Sequence, residues 1–504
     1  MSERVNGDDH AFVLSPPVDG AAVGVTSIPS LSAVPRGSAA GGSGEPADAV
    51  DYAVVRSLHR AVSDELTTLL RDRGDSTPEL RRAEGERLTA RHVAVWIDAQ
   101  RRKRTVPPTV EEALIDAVLA ELVGLGRLQA LLDDPRIENI TILGYDHVRI
   151  EYRDGRIDVG RPVADSDEHL INLVQNLARR AAGTGSTERS LSPTKPMLDL
   201  QLPDGSRLTV IYQISQRPVV TIRRHGVLAV DLDDLSGPQM NMIDPVLAGF
   251  LRAAMKARLN ILVAGWPGAG KTTLLRALAD EIPRDEWFVT LEESRELGLH
   301  ATGKHPWAVS LEAREGHGER GVDGRPIGEI TLDDMIPLSL RINTTRVIVG
   351  EVRSREIVAM LQAMGTTGGS LGTIHARGPE LVMDRVVELV LSHRGEHSPE
   401  RALRQLAGAV DVIVYIEMID ESAIGGAKHR FVSHLLEVGG IADSGIKTTT
   451  VFGPDEVSGR AVPLHLPERH LARLRRVGYD PEPLNRFRGV GRWPRPLRTL
   501  VGSS

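Results

Sequence analysis

The residues with the clearest chemistry in this 504-residue chain are Gly265-Trp266-Pro267-Gly268-Ala269-Gly270-Lys271-Thr272. Glycines at this spacing let successive backbone N–H groups turn inward on phosphates, the lysine supplies a point charge, and the threonine hydroxyl can ligate magnesium. An apolar run, Ile261-Leu262-Val263-Ala264, precedes the loop, and a helix-like stretch from Thr273 to Ala279 follows it. Such a helix aims its positive end at the same anion. The pattern therefore predicts nucleoside triphosphate binding by residues Gly265 to Thr273, with Trp266 and Pro267 in the variable part of the loop.

Hydrolysis needs carboxylates where magnesium and a water would sit. Val347-Ile348-Val349-Gly350-Glu351 reads as a buried parallel strand ending in an acid, and ligands gather at the carboxyl ends of such strands. Glu351 is thus the first catalytic candidate. Phe288-Val289-Thr290-Leu291-Glu292-Glu293 has the same form and places Glu292 at a second strand end. A third segment, Gly368-Gly369-Ser370-Leu371-Gly372-Thr373-Ile374-His375-Ala376, is flexible, then apolar, then presents a histidine. Any one of these has an ordinary reading as a surface acid or a structural histidine. Their common relation to one phosphate loop favours function.

Together the loop, Thr290-Leu291-Glu292-Glu293, Val349-Gly350-Glu351-Val352-Arg353 and Gly372-Thr373-Ile374-His375-Ala376 resemble the Walker A, Asp box, Walker B and His box of secretion ATPases. The chain resembles the type II/type IV secretion ATPases over roughly residues 107 to 440, with further local matches to the branch that assembles tight-adherence (Flp/Tad) pili. Those matches are Leu122-Val123-Gly124-Leu125-Gly126-Arg127-Leu128 with Leu131-Leu132-Asp133-Asp134-Pro135, Leu202-Pro203-Asp204-Gly205-Ser206-Arg207, and Val220-Thr221-Ile222-Arg223-Arg224. Read alone, Pro203-Asp204-Gly205-Ser206 is a turn between two strand-like runs.

The resemblance implies ATP and Mg2+ as cofactors, a hexameric ring of identical subunits and a membrane platform protein as partner. It implies catalysis by Glu351, Glu292 and Lys271, and phosphate sensing by His375. Magnesium would be held by Thr272, with Glu351 and Glu292 acting through water. Arg207, Arg223, Arg314 and Arg341 match arginine-bearing stretches of the family and become phosphate-sensing candidates. Two departures stand out. Glu292-Glu293 replaces the usual Glu-Asp, and Ile342-Asn343-Thr344-Thr345 intervenes where arginines are common, leaving Arg341 and Arg346. Cysteine is absent, so no zinc ribbon can form by cysteine ligation.

The expected fold class is α/β, a RecA-like P-loop ATPase domain preceded by an α+β domain and a helical module. Residues 1–50 are rich in Gly, Ser, Pro and Ala and are expected to be disordered. Val55, Leu58, Val62, Leu66, Leu69 and Leu70 have helical spacing, which opens a helical module over 51–106. An α+β domain is expected over 107–226, a linker over 227–244, the ATPase domain over 245–440 and a basic extension over 441–504. Residues 457–504 carry ten arginines against three acids, whereas the whole chain has a net charge of -7. That tail is expected to be solvated and partly disordered, or to dock on an anionic surface aided by Trp493.

The amino terminus lacks a basic start followed by an apolar core, and no apolar run is long enough to span a bilayer. The expected location is cytoplasmic, peripheral at the inner face of the membrane. A net charge of -7 and 3% aromatic residues argue against a nucleic-acid translocase, which would show a basic stripe or stacking platforms. A nucleotide-gated scaffold with little turnover is a third reading, disfavoured by the presence of both Glu292 and Glu351.

Overall fold

The computed structural model describes residues 51–500, apart from 74–76, 104, 124, 183–190, 192–194, 203–204, 225–229, 315, 323, 355, 393–397 and 443–444. The expected disorder of 1–50 and the turn residues Pro203 and Asp204 lie outside the described residues.

Val55, Leu58, Val62, Leu66 and Leu70 recur every three or four residues and so form one buried stripe on α1 (Tyr52–Arg73). This stripe packs against α2 (Pro78–Arg101) and α3 (Pro108–Val123) in a single core with Leu88, Ile97, Leu114 and Val118. The helical module therefore runs past the expected boundary at 106. Leu114 and Val118 are four residues apart, and they turn α3 toward the helices rather than toward the sheet that follows.

That sheet is antiparallel, in the order β3-β2-β1-β6-β5-β4. Its strands are β1 (Ile137–Leu143), β2 (His147–Tyr152), β3 (Ile157–Gly160), β4 (Met197–Gln201), β5 (Arg207–Ile211) and β6 (Val219–Arg223). Two helices cover it, α4 (Leu128–Asp133) and α5 (Asp167–Ala182), with Leu128, Leu170, Val174, Ile140, Val220 and Ile222 in the core. Successive strand residues face opposite ways, so burying Leu208 and Ile222 turns Arg207 and Arg223 to the other face. The two arginines are register partners across β5 and β6.

A short helix, α6 (Leu232–Ser236), follows, closed by a reciprocal cap between Asp231 and Asp234. Asp244 then caps α7 (Pro245–Lys256), its Oδ1 accepting the Val246 N–H at 2.7 Å. Beyond it stands a nine-stranded sheet. The parallel part consists of β7 (Ile261–Gly265), β8 (Phe288–Glu292), β9 (Ala308–Glu312), β12 (Arg346–Val352), β13 (Leu371–His375) and β14 (Val412–Asp420). A small hairpin, β10 (His317–Arg320) and β11 (Pro326–Ile327), stands apart. Alternation along β7 sends Ile261 and Val263 to the face covered by α7 and α8 (Lys271–Asp280). Leu262 and Ala264 go to the face covered by α9 (Leu332–Arg341), α10 (Glu356–Thr366), α11 (Val382–Ser392) and α12 (Pro399–Ala409). Burial on both faces explains why these strands read as continuous apolar runs.

The carboxyl-terminal segment from Lys428 departs from expectation. Antiparallel strands β15 (Lys428–Ala442), β16 (Gly445–Pro454) and β17 (Ala461–Pro463) extend the same sheet from β14, so residue 440 falls inside a strand. Helices α13 (Leu471–Arg476) and α14 (Glu482–Arg486) insert Leu474 and Leu484 into the core on α7's side of the sheet. The basic tail is therefore folded through residue 500 rather than solvated and disordered. Trp493 is engaged too: its Nε1–H donates to the Ala461 carbonyl at 3.0 Å, and the Arg460 guanidinium lies 4.3 Å from its ring.

Candidate functional site

Strands β7, β13, β12 and β8 are adjacent and parallel, so their carboxyl ends form one edge. His375 stands directly beside Gly265 in that register. Glu351 lies one residue before the end of β12, and Glu292 closes β8. Gly270 adopts φ 97°, a left-handed conformation natural to glycine, and opens α8 without any side chain capping the first turn. The uncapped N–H groups there are free for an anion, and the helix dipole favours one. On that donor set, the loop fits a phosphate chain.

Lys271 is buried beneath this turn. Its Nζ donates to the carbonyls of Gly265 at 3.2 Å and Trp266 at 2.9 Å, and to His375 Nδ1 at 2.9 Å. The other ring nitrogen of His375, Nε2, is 2.5 Å from Glu351 Oε1. The other Glu351 oxygen accepts from Arg353 Nη2 at 2.8 Å, and Arg353 Nη1 reaches Glu293 at 3.2 Å. Cation, imidazole, carboxylate, guanidinium and carboxylate thus stand in one connected row.

Burial pushes the Lys271 ammonium down to about 8, with the Glu351 charge opposing the shift and Arg223 and Arg353 adding to it. Burial would raise the Glu351 carboxyl, but the His375 and Arg353 contacts outweigh it and hold the group well below the usual carboxylate range. Glu292 behaves in the opposite way. Burial pushes it up to about 7, although its Oε1 accepts the N–H groups of Glu296 at 2.9 Å and Leu297 at 2.8 Å. Its Oε2 is buried with no hydrogen-bond partner among the described residues. Gly350 permits this approach, since a Cβ there would lie 3.0 Å from Glu292 Cγ. Thr272, Glu292, Glu351, Arg353 and Arg207 line a crevice of about 20 Å³, room for a single water.

Of the four sequence-predicted arginines, the structure gathers two. Arg207 lines the crevice and lies 3.9 Å from Glu296, and Arg223 acts electrostatically on Lys271. Arg314 and Arg341 do not join them. Arg314 follows the sheet-edge strand β9 and donates to the Gly328 carbonyl at 2.7 Å. Arg341 ends α9 shortly before β12 begins, at the edge of the parallel sheet away from Lys271. Two other arginines were missed. Arg353 belongs to the row just described. Arg430, on β15, donates from Nε to the Gly268 carbonyl at 2.8 Å and pairs with Glu138 of β1 at 3.1 Å, tying the phosphate loop to the antiparallel domain. Its signal was faint, a lone cation in an alternating strand.

Fold and site define a P-loop nucleotide-binding protein of the RecA-like α/β class. A family model described as "Type II/IV secretion system protein" matches residues 121–435. The chain belongs to this family. Among its relatives is a Mycobacterium tuberculosis protein whose name assigns it provisionally to conjugal transfer, 32% identical over 309 residues that cover 59% of this chain and 81% of the relative. The type IV secretion system protein VirB11 of Brucella suis is 30% identical over 340 residues, covering 61% and 88%. The crystal structure of the Brucella suis VirB11 ATPase with sulphate matches at 25% identity and a TM-score of 0.31, covering 62% and 92%. The pilus retraction motor PilT with bound ADP matches at 17% and 0.42, covering 61% and 81%.

Proposed function

We propose that this chain is an ATP-hydrolysing motor that powers Flp/Tad-type pilus assembly, or type II/IV secretion, through nucleotide-driven movement of its antiparallel domain against its RecA-like domain. The observation that carries the reading is that Arg207 of the antiparallel domain walls the same crevice as Thr272 and Glu351. The contacts between the two domains are polar: Arg430 with Glu138, Lys428 with Glu151, and Gln201 Nε2 donating to the Arg295 carbonyl at 2.5 Å. Interfaces of that character permit relative motion.

In this reading Lys271 and the first turn of α8 hold the phosphates, and Thr272 presents its hydroxyl to the magnesium that neutralises them. The donor set fits that ion, because the hydroxyl and the carboxylates of Glu292 and Glu351 are hard oxygen ligands. Glu351 polarises the attacking water, and His375, touching both Lys271 and Glu351, senses the γ-phosphate. Copies of the chain form a ring that works on an inner-membrane platform protein from the cytoplasmic face. Among the described residues no helix is long and apolar enough to cross a membrane.

Steady-state hydrolysis measured against protein concentration, with magnesium and beside Lys271→Ala, tests the proposal. The expected result is a rate per protomer that rises with concentration and vanishes in the variant. Tight ATP binding without turnover would instead support the gated scaffold. The relatives' names, conjugal transfer and type IV secretion, favour a second reading with a cargo other than pilin. Strong stimulation of hydrolysis by DNA would favour that reading.

The lowered Lys271 pKa adds a pH dependence. Bound phosphates favour the ammonium, so above pH 8 the free protein must take up a proton to bind ATP, and affinity is expected to fall as pH rises through 8. Calorimetry at pH 9 in buffers of different ionisation enthalpy should report uptake of about one proton per nucleotide. No uptake would show that Lys271 stays charged in the free protein.

A further inference from the structure

Backbone groups hold the side chain of Glu292. Its Oε1 accepts two consecutive N–H groups, those of Glu296 and Leu297, at 2.9 and 2.8 Å. A trans peptide points its carbonyl away from its N–H, so each peptide that faces Glu292 turns a carbonyl oxygen to its other side. Both oxygens are engaged. The Arg295 carbonyl, in the peptide that supplies the Glu296 N–H, accepts from Gln201 Nε2 at the end of β4 in the antiparallel domain. The Glu296 carbonyl, in the peptide that supplies the Leu297 N–H, accepts from Arg276 Nη2 on α8, the helix that opens at Lys271.

Glu292 is thus reached from two directions through one short segment. Arg276 is only 2% exposed, and its Nε donates to the Leu297 carbonyl at 3.1 Å. A buried cation on a carbonyl polarises the peptide and strengthens the N–H at its other end as a donor. Leu297 is itself fixed in the core on α7's side of the sheet. From the antiparallel domain Arg207 also lies 3.9 Å from the Glu296 carboxylate, so that domain meets the segment at two points. The second Glu292 oxygen, Oε2, has no hydrogen-bond partner among the described residues, which leaves the N–H pair on Oε1 to fix where the carboxylate stands beside Thr272 and Glu351.

We propose that Gln201 and Arg276 are positioning residues for Glu292, acting through the two peptides between Arg295 and Leu297. While the antiparallel domain is docked, Gln201 holds the Arg295 carbonyl and both N–H groups stand on Oε1. When that domain moves away, the first peptide is free to turn and one of the two bonds is lost. The inference rests on the proposed motor reading, with Glu292 as an acid of the site, and gives the domain movement a route to the chemistry.

The test measures single-turnover ATP hydrolysis and equilibrium ATP binding in the full chain, in Gln201→Met and in Arg276→Met, each alone and combined with Glu292→Ala. Methionine keeps the length of the side chain and removes the donor. The chemical step should slow about fivefold in Gln201→Met and about tenfold in Arg276→Met, with ATP affinity at the parent value. In the Glu292→Ala background neither substitution should slow it further. The same losses repeated in full in that background would show that the two residues act elsewhere and would overturn the inference. A parental rate in Gln201→Met, or a loss of ATP affinity equal to its loss of rate, would do so as well. Arg276→Lys keeps the charge and one carbonyl contact and should recover most of the rate; a rate no higher than that of Arg276→Met would remove Arg276 from the device. If methionine at 276 prevents folding, the half-buried Gln201 decides alone through the same cycle. Glu292→Ala turning over at the parent rate would defeat the reading of Glu292 and this inference with it. A slowed Glu292→Ala beside unaffected Gln201→Met and Arg276→Met would defeat the inference alone.

Discussion

Glu351→Gln is expected to slow ATP turnover by about a hundredfold or more while leaving nucleotide binding close to the parent value. Glutamine keeps the shape of the side chain, and its single carbonyl oxygen can still accept from Arg353. It cannot carry the charge that those contacts now stabilise. Losing a preorganised group of this kind raises the barrier by ~2.7 to 4 kcal/mol. The phosphate loop is untouched by the change, so the effect should fall on kcat. Rapid-quench measurement of the chemical step beside equilibrium ATP binding separates the two. A kcat within threefold of the parent would remove Glu351 from the chemistry and turn attention to Glu292, whose raised pKa and unpartnered oxygen make it the other acid of the crevice.

Arg346→Met should have the largest effect on stability. Arg346, one of the two arginines left in a stretch where the family commonly carries more, opens β12 and so lies at the far edge of the sheet from Lys271. Its side chain is only 2% exposed, with Nε donating to Glu286 at 2.8 Å and Nη1 to the carbonyls of Met255 and Gly369, each at 3.2 Å. Methionine fills the space but leaves a mostly buried carboxylate with Arg258 as its remaining cation. Breaking a buried pair in this way costs about 3 kcal/mol, the low end of the usual range because Arg258 remains.

The pH dependence should change as well. Burial would raise the Glu286 carboxyl, but its contacts with Arg346, Thr345 and Arg258 leave it lowered. Its stabilising contribution is therefore full above the ordinary value of 4.5 and is lost as pH falls through the folded value. Arg346→Met should lose less stability over that acid range. Denaturant unfolding at pH 7 and below measures both effects, and an unchanged midpoint would show that the pair contributes nothing.

What the sequence reveals about this site is uneven, for physical reasons. Ile261 to Ala264 and Val347 to Val349 are buried on both faces of a parallel sheet, so their positions announce themselves as unbroken apolar runs. The phosphate loop is legible because Gly270 answers a backbone requirement that few other residues meet. Which arginines arrive is a different matter. Arg207 lines the crevice and Arg223 acts electrostatically on Lys271 because two domains fold against each other, and local spacing says nothing of that docking. Arg353 closes the Walker B-like stretch, but the stretch alone does not show that it pairs with both Glu351 and Glu293. The tail was the largest surprise, because Leu474, Leu484 and Trp493 are sparse among ten arginines and find their partners only across long separations in sequence. The helical module extends past 106 for a similar reason, since only packing shows which core claims α3.

The tail that secures the linker also sets an order in time. Asp244 accepts a hydrogen bond from the Arg492 N–H, 248 residues further along the chain, and Asn241 donates one to the Arg495 carbonyl, 254 residues on. At ordinary rates of synthesis, about 5 to 20 residues per second, the linker waits on the order of tens of seconds on the ribosome before its partners exist. A nascent chain can thus complete its phosphate loop well before it completes the joint that would turn nucleotide binding into movement. Only a chain synthesised past residue 495 has both.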